Sequence, residues 1–319
     1  MKKHLKYVCL GGGIGTVNVL RGIKDYSKDI SVLVSMADDG GSAGRLRRLF
    51  SIPPPGDLMN CIAALSDAEP MVRDLLTYRF KGNRWGRDDS LGGQKLGNLM
   101  LVALSNLTGS FEKGLEEAQR LFLTHGRIIP ATKENVSIWA LTVDGKKING
   151  EENIDLGKYN GTRSLTEVHL EPKNPTTSKI AVNALNQAEV MIAGPGDLYT
   201  TMLPVLLVPE VKKALFRSKA KKIFVVNVAN KPFETPNYMA SDFITAVIKH
   251  IGAFPFDYIL INDNFDKTIP KRLKYTYVLY NKTLMPNVKS KVVQKNLVNE
   301  SFPLYHDPKK LGKTITDLI

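Results

Sequence analysis

Cysteine is scarce in this sequence, with only Cys9 and Cys61 in 319 residues. Two thiols exclude a disulfide framework and suit a reducing cytosol, so a cytoplasmic location is expected. Long apolar runs are missing as well. None reaches the ~18 residues that a membrane span requires, and the nearest, residues 202–209, is interrupted by Pro204 and Pro209. The apolar run 7–10 behind the basic start stops at a glycine loop, which argues against a signal peptide. His125, His169, His250 and His306 lack metal-ligand spacing. No G-x-S-x-G elbow is present either, so the hydrolase reading finds no support. There is no internal repeat, low-complexity tract or linker-like composition. Acidic residues are outnumbered, 31 Asp and Glu against 44 Lys and Arg, for a formal net charge of +13. The basic residues stand in small groups such as Arg45/Arg47/Arg48 and Lys219/Lys221/Lys222. With no basic tail and no stacked-aromatic RNA signature, nucleic acid is not the expected partner. A solvated surface, or help in holding a polyphosphate, remains.

What is present is an ordinary globular composition, 43% hydrophobic and 24% charged. The opening reads as a short strand, residues 5–10, running into Gly11-Gly12-Gly13-Ile14-Gly15-Thr16 and a helix-like stretch 17–25. That is the start of a βαβ unit. A second strand, 30–34, ends in a polar loop over residues 37–44, and helical spacing follows at 58–65, 71–80, 95–107 and 111–124. The texture then changes. Strand-like segments at 136–143, 147–149 and 164–170, with the Asp144-Gly145 turn, suggest a β-rich insertion over about 126–170. Afterwards helices at 178–188, 208–218 and 241–251 alternate with strands at 190–193, 223–228 and 258–261. This order predicts an α/β fold with a mainly parallel, doubly wound sheet, in a single domain over residues 1–319. Residues 269–319 are expected to close the sheet edge and to end in a helix near 307–318.

Ligands of such sheets bind beyond the carboxyl ends of the strands, where the strand order reverses. Three loops fall on that edge. The first holds Gly11, Gly12, Gly13, Gly15 and Thr16. It is a phosphate cradle at a helix N-terminus or a tight strand–helix turn, since it fails both the G-x-G-x-x-G and the Walker A patterns. The second holds Asp38, Asp39, Gly40, Gly41 and Ser42, with Arg45 one turn on as a phosphate partner. Its acids suit a ribose hydroxyl, a Mg²⁺ ion beside a diphosphate, or a helix cap. The third holds Gly194, Pro195, Gly196, Asp197, Tyr199, Thr200 and Thr201. Gly56, Asp57, Asn60, Gly97, Asn98 and Asn227 are further candidates for the same cleft, each also readable as turn or cap chemistry. Glycine loops in both halves of the chain favour a nucleotide-type ligand.

Taken in order, these loops resemble a known family. The segments are Gly11–Gly15, residues 37–47, Pro54-Pro55-Gly56-Asp57-Leu58-Met59-Asn60-Cys61, residues 63–67, Tyr78-Arg79-Phe80, Leu96-Gly97-Asn98-Leu99, residues 126–132 and residues 194–200. Together they are similar to the YvcK/CofD family, and to its bacterial YvcK branch in particular. The resemblance implies a Rossmann-like fold with a nucleotide-type ligand between the glycine loops: a UDP-sugar, with GDP or NAD also in view. The YvcK branch implies a regulator of carbon flux into cell-wall precursors that is required for cell shape and acts on a partner enzyme of amino-sugar synthesis. The CofD branch implies transfer of 2-phospho-L-lactate from a GDP-activated donor with Mg²⁺. A homodimer is carried as an assembly. Three positions depart from the family pattern: Gly93-Gln94-Lys95 for Gly-His-Ser, Phe233-Glu234-Thr235 for Gly-Glu-Thr, and Tyr305-His306-Asp307 for Arg-His-Asp.

Overall fold

A computed structural model describes residues 5–159 and 164–319; the basic start and residues 160–163 of the β-rich segment lie outside the described residues. The core is a seven-stranded sheet in the order β12-β10-β8-β7-β1-β2-β3, with every adjacent pair parallel. Its strands are β1 (Tyr7–Gly11), β2 (Ile30–Val34), β3 (Arg127–Pro130), β7 (Val190–Ala193), β8 (Lys221–Val225), β10 (Tyr258–Asn262) and β12 (Lys291–Lys295). β1, β2 and β7 are buried along their whole length. Helices cover both faces of a parallel sheet, so its central strands read as continuous apolar runs. The chain winds outward from β1 to β2 and β3, then returns beside β1 at β7 and winds the other way. The expected doubly wound α/β sheet is therefore present, with its switch point between β1 and β7.

The helices are α1 (Gly13–Ile23), α2 (Gly41–Phe50), α3 (Gly56–Leu65), α4 (Pro70–Thr77), α5 (Leu96–Thr108), α6 (Phe111–Leu121), α7 (Glu151–Asp155), α8 (Lys179–Gln187), α9 (Leu203–Leu206), α10 (Pro209–Arg217), α11 (Ala240–Ile251) and α12 (Pro308–Asp317). A small antiparallel sheet, β5-β4-β6, is built from β4 (Ser137–Thr142), β5 (Lys147–Asn149) and β6 (Leu165–Glu171). A two-stranded ribbon pairs β9 (Ala229–Asn230) with β11 (Thr276–Tyr277).

Three sequence expectations need correction. The β-rich insertion does not begin at residue 126, because Arg127–Pro130 is the edge strand of the main sheet, paired parallel to β2. Its core is only Ile128 and Ile129, too short a run to show a period. The polar loop over residues 37–44 is a loop only as far as Gly40, and Gly41 and Ser42 open α2. Glycines at a helix start carry no apolar stripe, so the period becomes visible only from Leu46. The helix expected over 71–80 stops at Thr77, where the chain turns out so that Arg79 can bridge to Lys95. The C-terminal segment does close the sheet: β12 is the outer strand, with Lys291 and Lys295 at its exposed ends. Lysines on an edge discourage pairing with another chain.

Candidate functional site

A cleft of about 420 Å³ lies over the switch point, at the carboxyl ends of β1, β2, β7 and β8. Two loops meet there. Gly15, in the first turn of α1, faces Pro195 after β7; a Cβ on Gly15 would lie 2.3 Å from the Pro195 carbonyl oxygen. Only a glycine admits that approach. Gly196 donates to the Asn227 side chain at 3.1 Å, which ties the β7 loop to the segment after β8.

The structure brings most of the sequence candidates together. Gly12, Gly13, Gly15, Asp38, Gly40, Gly41, Ser42, Gly56, Asp57, Asn60, Asn98, Pro195, Gly196, Asp197, Thr200, Thr201 and Asn227 all line the cleft. Seven others stand behind it. Thr16 is buried and accepts the Gly12 N–H at 2.8 Å, holding the turn from below Gly11. Gly97 packs α5 on α4, with room for no Cβ beside the Leu76 carbonyl. Gly194 lies under the Met202 side chain. The Tyr199 hydroxyl points into the core, donating to the Leu165 carbonyl at 3.1 Å and meeting the Tyr238 hydroxyl at 2.9 Å.

Arg45, expected to meet phosphate, is 1% exposed. Its guanidinium donates to the carbonyls of Gly92 (2.8 Å), Asn83 (3.2 Å) and Ser90, and so clamps the loop between α4 and α5. The acidic pair also separates. Asp38 lines the cleft and accepts the Gly40 N–H at 2.9 Å. Asp39 turns away to accept the Glu152 N–H at 2.8 Å, fastening α7 to the β2 loop.

Several cleft residues were not singled out for it from the sequence. Glu151, Glu152 and Asp155 arrive on α7, which the β-rich excursion delivers across the cleft from α1. Arg79, Arg84, Trp85 and Lys95 come from the α4–α5 segment, and Lys231, Tyr275, Tyr305 and His306 from the C-terminal half. A single-turn helix and isolated basic residues leave no periodic signal, although the Tyr78-Arg79-Phe80 motif did point near the spot.

Charge is arranged in two groups. At one end Lys231 donates to Asp197 at 2.6 Å and to Asp155, with Glu234 at 3.7 Å. Burial works against this ammonium, but Asp197, Glu234 and Asp155 outweigh it and raise its pKa well above the usual lysine value. Glu234 is fully buried, and it receives the Thr200 hydroxyl at 2.6 Å and the Tyr199 N–H at 3.0 Å. It thereby shapes the wide helical turn Leu198–Met202. Burial, then Asp197, push the Glu234 carboxyl up to about 7. The oxygens of Asp155, Asp197 and Glu234 lie within 4.8 Å of one another, the spacing of a cation site. The Lys231 ammonium already stands among them, so this donor set does not fit the Mg²⁺ that the transferase branch implies.

Around the glycine loop, Asp57 accepts the Gly13 N–H at 2.7 Å. Burial raises the Asp57 pKa, against the lowering effect of that hydrogen bond and of Lys95. Asp38 is pushed up to about 7 by burial and by Asp57. His306, 2% exposed, is held neutral by burial, its pKa lowered to about 3, and its Nε2 has no hydrogen-bond partner among the described residues.

Fold and cleft define an open, doubly wound α/β protein with a polar cleft at the switch point. The family described as "2-phospho-L-lactate transferase CofD" matches residues 7–313. The chain is similar to the "Gluconeogenesis factor" of Bacillus subtilis, 36% identical over 328 residues, covering 100% of this chain and 99% of that protein. It is likewise similar to the "Gluconeogenesis factor" of Halalkalibacterium halodurans, 34% identical over 308 residues, covering 96% of this chain and 92% of that one. A solved structure of a Bacillus halodurans protein superposes with a TM-score of 0.90 at 32% identity, over 98% of this chain and 100% of that chain. The chain belongs to the YvcK/CofD family.

Proposed function

We propose that the protein is a cytoplasmic regulator that binds a UDP-sugar in the cleft and controls carbon flux into cell-wall precursors and cell shape. The observation carrying this reading is the meeting of Gly15 and Pro195 over the switch point, which forms a polar, cleft-shaped site between two glycine loops. Its volume suits a nucleotide-sized ligand. The regulatory part is supported by the full-length relatives named gluconeogenesis factor. In this reading ligand occupancy alters the contact with a partner enzyme of amino-sugar synthesis.

Calorimetry with UDP-N-acetylglucosamine, UDP-glucose, GDP and NAD tests the binding step, with heat expected from the uridine ligands. No binding by any of the four would sink it. The second reading, phospholactate transfer, rests on the description of the family. Turnover of a GDP-activated phospholactate donor by purified protein with Mg²⁺ and a deazaflavin acceptor would replace the regulator with an enzyme.

A further inference from the structure

The glycine loop, where a phosphate would be sought first, already holds an anion. The Asp57 carboxylate takes the Gly13 N–H. A Cβ on Gly12 would lie 2.5 Å from the Asp57 Oδ2, so the carboxylate fills the space above that turn. A phosphoryl group placed there would face an acid at contact distance.

The other end of the cleft has the opposite character. α2 and α5 both point their N-termini into it, and each end carries a partial positive charge. Glu152 takes the Gly41 N–H at 3.2 Å, which leaves the next donors of α2, Ser42 and Ala43, facing the cleft. Arg79 donates to the Ser42 hydroxyl at 3.0 Å, and Arg84 lies against Gly41, its Nη2 2.6 Å from where a Cβ would stand. Lys95, the residue before α5, donates to Asn60 at 2.7 Å. None of these three cations forms an ion pair among the described residues. Arg84 lowers the Arg79 pKa after burial does, and Arg79 lowers that of Lys95 in the same way. Three like charges gathered at one end of the cleft, none of them ion-paired among the described residues and with Asp57 and Asp38 acting on Lys95 only from further off, form a receptor for an anion. The independent sign is Asn98, in the first turn of α5. It is 1% exposed and lines the cleft, yet among the described residues neither side-chain amide atom has a hydrogen-bond partner. Leaving a buried amide unsatisfied is costly, and a ligand that supplies its bonds would recover that cost.

We infer that the cleft end between α2 and α5 is the subsite for a diphosphate-type oxyanion, bound by Arg79, Arg84, Lys95, Ser42 and the Asn98 amide, and that the glycine loop is not. Guanidinium forks match phosphate oxygens bidentately. The inference refines the nucleotide reading by fixing where the phosphates lie, and it also holds for a free phosphorylated compound.

The test uses inorganic pyrophosphate and UDP-N-acetylglucosamine in parallel by calorimetry on the full chain at low salt. Pyrophosphate should bind the wild type and weaken as salt is added. Arg84→Gln and the pair Arg79→Gln/Arg84→Gln should lose at least about tenfold in affinity, as charge-assisted contacts predict. Asp57→Asn should bind pyrophosphate at least as well as the wild type. Arg84 is exposed, so its substitution leaves the fold intact and keeps the test valid should the double variant unfold. Failure of pyrophosphate to bind, unchanged affinity in Arg84→Gln, or binding that appears only in Asp57→Asn would each overturn the inference. Pyrophosphate binding that depends on Arg84, without any UDP-sugar binding, would uphold this subsite while removing the nucleotide reading. UDP-sugar binding that ignores Arg79 and Arg84 would do the reverse.

Discussion

The Asp57 carboxylate accepts the Gly13 N–H at 2.7 Å, joining the first turn of α3 to the first turn of α1. One acid thus caps a helix to which it does not belong, and it holds the glycine loop in its open shape. Gly13 itself sits at φ +65, with free space around it. Asp57→Ala should cost about 1 kcal/mol, as loss of a cap does, whereas Asp57→Asn, which keeps an accepting oxygen, should stay close to the wild type. Urea denaturation at pH 7 checks both. Equal stability of Asp57→Ala and the wild type would mean that the contact contributes nothing.

Asp38 gives the apo protein a pH dependence. Its carboxyl is raised to about 7 in the fold, first by burial and then by Asp57. A raised carboxyl stabilises the fold fully below its unfolded pKa of about 3.9, and that contribution is lost as pH rises through about 7. Asp38→Asn should therefore be more stable than the wild type at pH 8, by up to about 4 kcal/mol for a shift of that size, and match it near pH 4. Thermal melts across that range decide it, and a gain that is constant with pH would refute the assignment.

Lys231 balances three acids, so Lys231→Met leaves Asp155, Asp197 and Glu234 facing one another. Removing one partner of a buried ionic group costs roughly 3–5 kcal/mol. The vacated position should then accept a divalent cation. The variant is expected to melt well below the wild type and to recover part of the loss with millimolar MgCl₂, while the wild type shows no such gain. Scanning fluorimetry with and without the salt reads this directly.

Two glycines fix close approaches. A Cβ on Gly15 would meet the Pro195 carbonyl at 2.3 Å, and one on Gly312 would meet the Gly22 carbonyl at 2.0 Å where α12 crosses α1. Gly15→Ala and Gly312→Ala should each destabilise by about 1–3 kcal/mol, the usual range for overpacking. Gly145→Ala, in open space at the hairpin turn but at φ +79, should show only the smaller strain of a left-handed residue, about 1 kcal/mol.

We further propose that the described segments unfold together as one domain. The β-rich excursion is tied to the main sheet by Asp39 and Glu152, and α12 packs along α1. A single calorimetric transition with matching van't Hoff enthalpy is expected. Two resolved transitions would separate the excursion from the sheet.

Strand identity was written in the sequence wherever one segment carried the whole signal. Residues 190–193 are an uninterrupted apolar run and residues 30–34 are broken only by Ser31, because both faces of the sheet are covered, and both segments appear as strands at those residues. The glycine loops were legible for a similar reason, since a tight turn or a backbone contact demands a residue without a side chain whatever else surrounds it. Arg127–Pro130 was lost inside the excursion because its place depends on the exposed edge of β2, a partner distant in the chain. The roles of the charged residues were settled by tertiary structure alone. Nothing beside Arg45 or Arg79 in the sequence announces that one is enclosed by three carbonyls and the other opens on the cleft. Asp38 and Asp39 are neighbours whose side chains leave the backbone in different directions, so α7 captures one and the cleft keeps the other. A charge acquires its task from what folding places opposite it, and Lys231 meets its three acids only once β7, β8 and α7 have come together.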